Sequence, residues 1–123
     1  MRFSAADSPD RAVLVTEVGT RDGFQVEPQL IPTESKAAVL NALIDAGVRS
    51  FEATSFVSPR AIPQLADASQ LMDMLQRKPG VRLSALVPNA RGAERAAAAK
   101  VDMMICFVSG SESHCQANLD RKS

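Results

Sequence analysis

Two charged side chains with complementary chemistry, Arg21 and Asp22, stand together between Gly19 and Gly23. The two glycines permit the tight or unusual backbone geometry that an active-site loop requires. The Asp22 carboxylate is a hard oxygen ligand of the kind that binds Mg²⁺ or Mn²⁺. The Arg21 guanidinium can stabilise a carboxylate or a developing enolate. On composition alone, a solvated turn with a surface ion pair worth about 0–1 kcal/mol is the simpler interpretation.

Three further polar side chains are candidates for the same site: Glu52, Gln25 and Asn89. Glu52 lies in an otherwise apolar segment, and burying a carboxylate without a partner is costly. We therefore expect Glu52 to pair with Arg21, one strand away at the same end of the sheet. Gln25 follows Arg21 in the same loop. Asn89 offers an amide that could bind substrate, and it could equally be a turn former.

The segments that must position these side chains alternate between short apolar runs and helical patterns. The apolar runs predict four strands, at residues 12–15, 48–53, 81–87 and 101–108. Apolar spacing predicts a helix that begins with Thr33 as its N-cap and ends before Gly47. Two more helices are predicted around the stripe at 68–75 and over 91–100. This order is typical of a parallel sheet with crossover helices, in which the carboxyl ends of the strands share one edge.

The length limits how much of a fold the chain contains. A (β/α)₈ barrel needs about 250 residues, or roughly 31 per βα unit. A chain of 123 residues therefore holds about four of the eight units. We expect an α/β fold of parallel βα repeats, about half of a TIM (β/α)₈ barrel, in a single partial domain over residues 1–123. A small doubly wound sheet, complete in itself, is the alternative that periodicity leaves open.

The composition excludes several classes of protein. Hydrophobic residues make up 46% of the chain, which is too much for intrinsic disorder. Fourteen basic residues balance fourteen acidic ones with no basic run, so we expect no nucleic-acid or membrane partner. No apolar run approaches the ~18 residues that span a bilayer. Residues 1–10 resemble neither a secretory signal nor a mitochondrial presequence, so the expected location is cytoplasmic.

The sulfur-containing and imidazole side chains carry little chemical signal. Cys106 lies in the apolar fourth strand, where we expect it to be a small core residue. Met103 and Met104, in the same strand, are expected to fill the core as well. His114 is the one histidine, and its neighbour Cys115 does not make a catalytic pair with it, because adjacent residues seldom face each other.

Two stretches of the chain resemble hydroxymethylglutaryl-CoA lyases: residues 17–25, EVGTRDGFQ, and residues 51–60, FEATSFVSPR. The R-D-G-x-Q part is shared across a larger superfamily of metal-dependent lyases and synthases built on TIM barrels. The second stretch, followed by IPQLAD at 62–67, is far more specific to the lyase branch. LVPN at 86–89 and the Ser-Glu pair at 111–112 are also similar to the family.

The resemblance implies a reaction and a role for each candidate residue. The reaction is cleavage of 3-hydroxy-3-methylglutaryl-CoA to acetyl-CoA and acetoacetate in leucine catabolism, with an acyl-CoA substrate and a divalent cation, Mg²⁺ or Mn²⁺. By similarity, Asp22 is a metal ligand, Arg21 holds the thioester oxygen and the enolate charge, and Glu52 orients both. Gln25 and Asn89 would lie near the substrate. The family's H-x-H ligand pair has no counterpart in this sequence, so we expect the chain to be inactive alone.

Two other functions stay open. The first is a condensing synthase of the same superfamily, which would join an acyl-CoA to a 2-oxoacid. The second is a non-catalytic fragment that associates through the open edges of a half barrel, because unpaired strand edges recruit partners. The expected partner is then a second copy of this chain or a complementary barrel half.

Overall fold

The computed structural model describes residues 2–4, 12–111 and 113 of the chain. The first two strands, β1 (Arg2–Ser4) and β2 (Ala12–Leu14), pair with each other in antiparallel fashion. The next three strands, β3 (Ser50–Ser55), β4 (Arg82–Leu86) and β5 (Met103–Ile105), form a parallel sheet in the order β3-β4-β5.

Helices connect the parallel strands, as a βα repeat requires. The three α-helices are α1 (Thr33–Asp45), α2 (Ala68–Met74) and α3 (Ala90–Ala98). A π-helical turn covers Gly19–Gly23, and a 3₁₀ turn covers Pro63–Leu65 just before α2. The element order among the described residues is therefore the predicted βα alternation, with each α-helix followed by a parallel strand.

The first predicted strand differs most from its prediction. Residues 12–14 pair with β1, a strand that the sequence did not indicate, and they do so in antiparallel fashion. The chain joins the parallel sheet slightly later, where Glu17 forms a parallel bridge with Phe51. The Glu17 N–H donates to the Ser50 carbonyl at 2.9 Å, and the Glu52 N–H donates to the Glu17 carbonyl at 2.9 Å. This bridge places the loop that follows residue 17 beside the carboxyl end of β3.

The hydrophobic core lies between the parallel sheet and its helices. Phe51 and Ala53 of β3 are fully buried and belong to this core. The three α-helices and β4 contribute further core side chains: Ala37, Leu40, Ile44, Ala68, Leu71, Met72, Leu83, Ala85 and Ala96. All six residues of β3 are buried, and the strand pairs with β4 on one side and with Glu17 on the other.

The ends of the helices follow local backbone chemistry. Gly47 adopts φ +105°, a left-handed conformation that favours glycine, and α1 ends just before it as predicted. The prediction for Thr33 was wrong, since Pro32 is the N-cap and Thr33 is the first helical residue. The Thr33 hydroxyl instead donates to Asp67 Oδ2 at 2.7 Å. The side chain thus links α1 to the segment before α2 rather than capping its own helix.

The last strand of the described sheet leaves apolar side chains exposed. Met103 and Met104 are 39% and 38% exposed, and Cys106 is exposed as well, so the prediction that they lie in the core was wrong. β5 is the last strand of the described sheet, and no described strand pairs with its free edge. His114 and Cys115 lie outside the described residues. In the described part of the chain, no helix is long and apolar enough to cross a membrane.

Candidate active site

The π-helical turn at residues 19–23 is closed by its own backbone bonds and is fastened to β3 by Thr20. The N–H groups of Arg21 and Asp22 donate to the Val18 carbonyl at 3.0 and 2.8 Å. The Thr20 hydroxyl, on a side chain only 2% exposed, donates to the Ala53 carbonyl at 3.2 Å. These bonds fix where the Arg21 side chain leaves the backbone, at the carboxyl end of the sheet.

Arg21 is held between two carboxylates. Its Nε donates to Glu52 Oε1 at 2.5 Å, and its Nη1 donates to Asp22 Oδ1 at 3.0 Å. The Arg21 and Glu52 side chains are 19% and 11% exposed, whereas Asp22 is 67% exposed. The predicted pairing of Glu52 with Arg21 is therefore present, and its partial burial makes it stronger than a surface ion pair.

The anchored guanidinium keeps donors free for a ligand. An arginine carries five N–H donors in a fixed planar fork. Nε is used by Glu52 and one Nη1 hydrogen by Asp22, and the Arg21 Nη2 group has no bond to another described residue. A substrate oxygen could accept from this free edge without disturbing either carboxylate.

Arg21 and Gln25 line one cavity of about 390 Å³. The opposite wall comes from the ends of the parallel strands and the loops that follow them, including Ser55, Leu86 and Phe107. The cavity thus lies at the carboxyl edge of the sheet, where α/β folds bind their ligands. The structure brings Arg21, Asp22, Glu52 and Gln25 to this edge, while their roles stay predictions.

Asn89 lies elsewhere and has a structural task. It is the N-cap of α3, where its Oδ1 accepts from the Gly92 N–H at 2.8 Å. Its side chain lines a second cavity of about 610 Å³, together with Arg91 and Gly92. The Oδ1 of Asn89 thus has a structural role at the start of α3, as the turn-forming interpretation expects. Asn89 does not line the cavity that Arg21 and Gln25 share.

The carboxylates around Arg21 do not by themselves make a site for Mg²⁺ or Mn²⁺. Glu52 is engaged by Arg21, and Glu17 Oε1 accepts from the Gly19 N–H at 2.7 Å. Asp22 is the exposed carboxylate that is left, and one carboxylate falls short of the ligand set that such ions take. Among the described residues, no group of three or more His, Cys, Asp or Glu side chains is placed to hold a metal ion.

Sequence reasoning missed two features of this edge of the sheet. Thr20 was not singled out, although a threonine directly before the Arg-Asp pair could have indicated a side chain that fastens the loop. The second cavity was missed because its basic side chains, Arg60, Arg91 and Arg95, look scattered in the sequence. The four-residue spacing of Arg91 and Arg95 on one helix was the available signal.

Comparison with curated proteins confirms the predicted resemblance. The chain is 42% identical over 108 residues to the mitochondrial hydroxymethylglutaryl-CoA lyase of Arabidopsis thaliana, which covers 88% of this chain and 23% of the relative. It is 41% identical over 108 residues to the cytoplasmic 3-hydroxy-3-methylglutaryl-CoA lyase of Rattus norvegicus, covering 88% of this chain and 32% of the relative. No family model matches the chain.

Comparison with solved structures confirms the fold. An HMG-CoA lyase from Acinetobacter baumannii, solved in complex with coenzyme A and 3-methylmalate, matches with a TM-score of 0.86 and 38% sequence identity. The match covers 89% of this chain and 36% of that one. The parallel βα architecture is therefore that of part of a TIM barrel, and the chain spans about a third of the length of the lyases it resembles.

Proposed function

We propose that this chain provides the arginine–carboxylate part of an active site that cleaves 3-hydroxy-3-methylglutaryl-CoA to acetyl-CoA and acetoacetate. The observation that carries the proposal is the Arg21 guanidinium, fixed by Glu52 and Asp22 and turned toward a cavity at the carboxyl edge of the sheet. The similarity to lyases over 88% of the chain supports the same reaction.

The reaction needs a cation where negative charge develops. The C3 hydroxyl loses its proton, its oxygen becomes the ketone of acetoacetate, and the C2–C3 bond breaks. The electron pair of that bond passes to C2 and onto the thioester oxygen, and C2 is then protonated to give acetyl-CoA. Arg21 would donate its free N–H groups to the thioester oxygen, where they stabilise the enolate more than the ground state.

The two carboxylates have different proposed roles. Glu52 is a positioning residue, because it holds the Nε edge of Arg21 and is itself mostly buried. Asp22 is exposed at the mouth of the site, and we assign it as one oxygen ligand of a divalent cation. The described residues do not complete that cation site. Gln25, on the same cavity wall as Arg21, is proposed to contact the substrate.

The exposed apolar side chains support an additional covering partner. Val13 and Leu14 are 57% and 53% exposed at one end of the described fold, and Phe107 is 42% exposed at the other. We propose that a complementary barrel half, or a second copy of this chain, covers these side chains. The cytoplasm is the proposed compartment, in agreement with the location named for the rat relative.

A chimeric enzyme tests the proposed reaction. The chain replaces the matched 36% of the Acinetobacter baumannii lyase, and acetoacetate release is measured with 3-hydroxy-3-methylglutaryl-CoA and Mn²⁺. We expect turnover by the chimera and none by the 123-residue chain alone. A parallel assay with acyl-CoA and 2-oxoacids tests the condensing alternative.

Three results would contradict the proposal. A folded chimera that binds coenzyme A but releases no acetoacetate would show that these residues do not support the lyase reaction. A chimera that condenses acyl-CoA with a 2-oxoacid and does not cleave the lyase substrate would favour the synthase. Robust turnover by the 123-residue chain alone would show that it contains the whole active site and not only the arginine–carboxylate part.

A further inference from the structure

The cavity of about 610 Å³ beside α3 is lined by three arginines, and we name it the arginine cavity. Arg60 comes from the loop after β3, and Arg91 and Arg95 come from α3. Ser58 and Asn89 line the same space. No acidic side chain is among the described residues that line it, so the positive charge is not neutralised within the cavity.

None of the three arginines has an ion-pair partner among the described residues. By contrast, Arg21 at the neighbouring site is engaged by two carboxylates. Placing like charges around one concave space without a counter-charge is unfavourable unless an anion balances them. The Gly92 N–H is already bonded to Asn89 Oδ1, so the charge of the cavity resides in its side chains rather than in the helix end.

The walls of the arginine cavity are built from rigid contacts. The Arg95 guanidinium lies over the Phe56 ring, 5.4 Å from its centroid, which holds the charged group against the wall. Gly92 brings the first turn of α3 close to the loop after β3, because a Cβ at this position would lie 2.8 Å from the Phe56 carbonyl oxygen. The first turn of α3 and the loop after β3 are thereby held at a fixed separation.

We propose that the arginine cavity binds a phosphate group of an anionic ligand. Guanidinium groups match phosphate oxygens with paired N–H donors, and three of them suit a group that carries up to two negative charges. The phosphate has two conceivable sources, the phosphates of an acyl-CoA or a separate phosphate compound. The first source rests on the proposed function, and the second does not.

The relation between the two cavities makes the first source geometrically reasonable. Successive residues at the end of β3 and in the loop after it divide between the two cavities. Ser55 and Val57 line the cavity of Arg21, and Phe56 and Ser58 line the arginine cavity. The two spaces therefore lie on opposite sides of one loop. A long ligand whose acyl end occupies the first could cross this loop and place its phosphates in the second.

Calorimetric titration of the purified 123-residue chain tests the site. The probes are sodium pyrophosphate, coenzyme A and pantetheine, which lacks the phosphates. We expect pyrophosphate and coenzyme A to bind, and each of Arg60→Gln and Arg91→Gln to weaken both about tenfold. Arg60 lies outside every helix and strand, so its substitution reports on binding even where Arg91→Gln perturbs α3. Pantetheine binding should not change in either variant.

Lys78→Gln is the matched control, since it removes one exposed positive charge that does not line the cavity. Binding within about twofold of the parent chain is expected for this variant. Competition between coenzyme A and pyrophosphate identifies acyl-CoA phosphates as the source, and simultaneous binding identifies a separate phosphate compound. Absence of pyrophosphate binding at millimolar concentration, or equal weakening by Lys78→Gln, would overturn the site. Because the readout is binding, it stays separate from the turnover that tests the lyase proposal.

Discussion

Arg21 and Glu52 lie 31 positions apart in the chain, and a 2.5 Å bond from Nε to Oε1 joins them at the carboxyl edge of the sheet. The bond uses the Nε edge of the guanidinium and leaves Nη2 without a bond to another described residue, on a side chain that lines a cavity. Glu52 is mostly buried on a strand whose backbone is fixed by pairing on both sides, so it is a rigid anchor. The bond to Glu52 fixes the orientation of the otherwise flexible Arg21 side chain. The guanidinium therefore needs little rearrangement when negative charge develops on a bound substrate.

Replacing Arg21 is expected to remove most of the activity of the lyase chimera. Arg21→Gln should lower kcat about 100- to 1,000-fold, because the enolate oxygen loses its cationic donor. Arg21→Lys keeps the positive charge but loses the planar set of N–H donors, so it should still lower kcat by at least about tenfold. Acetoacetate release under saturating substrate is the measurement.

Arg82→Gln is the matched control for this experiment. Arg82 begins β4 at the opposite end of the strand from the site, and its side chain donates to the Ser50 hydroxyl at 3.3 Å. Its substitution should change kcat by less than about twofold. Arg21→Gln activity within about a factor of ten of the parent would remove the proposed role of this guanidinium.

Replacing Glu52 is expected to misplace Arg21 without removing it. Glu52→Gln removes the more buried of the two carboxylates that bind Arg21 and leaves the exposed Asp22, so it should cost about 1–3 kcal/mol in the free energy of unfolding. In the chimera we expect kcat to fall more than KM changes, since Glu52 acts through Arg21 and not on the substrate. Urea unfolding and steady-state kinetics measure the two effects.

The conservative variant separates positioning from simple destabilisation. Glu52→Asp retains the carboxylate and should recover part of the lost kcat, even where its stability is no higher than that of Glu52→Gln. Equal kcat values for the two variants, at matched folded fractions, would count against a positioning role for the Arg21–Glu52 bond.

The parts of this site that the sequence predicts are those with a local physical requirement. A glutamate inside an apolar strand needs a buried partner, and that requirement correctly identified Arg21. A glycine after a helical pattern predicts a left-handed helix end, and Gly47 provides one. The βα alternation follows from hydrophobic periodicity in the same way.

The parts that the sequence does not predict depend on packing between distant segments. Arg60 and Arg91 share a cavity only because the loop after β3 packs against α3. Lys36 is 2% exposed, although a lysine in an amphipathic helix is ordinarily expected to face solvent. Whether Cys106 is exposed similarly depends on which segment packs beside it in the fold, and the local sequence pattern does not identify that segment.

Gly92 is expected to resist substitution by alanine. In most helix interiors Gly→Ala stabilises by roughly 0.5–1 kcal/mol. Here the added Cβ would lie 2.8 Å from the Phe56 carbonyl oxygen, so Gly92→Ala should instead destabilise by about 1–3 kcal/mol. Thermal and urea unfolding measure the change, and Gly110→Ala, whose Cβ would have no neighbour within 4 Å, is the control. A stabilised Gly92→Ala variant would show that α3 and the loop after β3 can move apart at little cost.

The pKa of Asp45 should depend on Lys78. The Lys78 ammonium donates a hydrogen bond to Asp45 Oδ1 and holds the pKa of that carboxyl below its ordinary value. A lowered folded-state pKa stabilises the fold above the ordinary pKa of aspartate, about 3.9, and the contribution is lost as the pH falls through the folded value. Lys78→Gln should therefore raise the Asp45 pKa toward its ordinary value in a carbon-detected NMR titration. An unchanged pKa would assign the shift to another neighbour, and Lys100→Gln is the charge-matched control.

The buried Lys36 should make one of the larger contributions to stability. Its Nζ donates to the Gln64 carbonyl at 2.6 Å and to the two carboxylate oxygens of Asp67 at 2.8 and 3.0 Å. Asp67 Oδ2 also accepts from the Thr33 hydroxyl, so three segments meet at one carboxylate. Lys36→Met leaves a carboxylate that is only 17% exposed without its cation, and should cost about 3–5 kcal/mol.

A double-mutant cycle measures how much of that cost belongs to the Lys36–Asp67 pair. Asp67→Leu alone leaves the buried ammonium without its partner and should be as damaging as Lys36→Met alone. The double variant removes both charges, so we expect it to be more stable than the sum of the single losses predicts, with a coupling of about 2–3 kcal/mol. Glu34→Gln, in the exposed first turn of the same helix, should change the free energy of unfolding by less than about 0.5 kcal/mol. Strictly additive losses in urea unfolding would mean that Lys36 stabilises the fold through its bond to the Gln64 carbonyl and its packing, and not through Asp67.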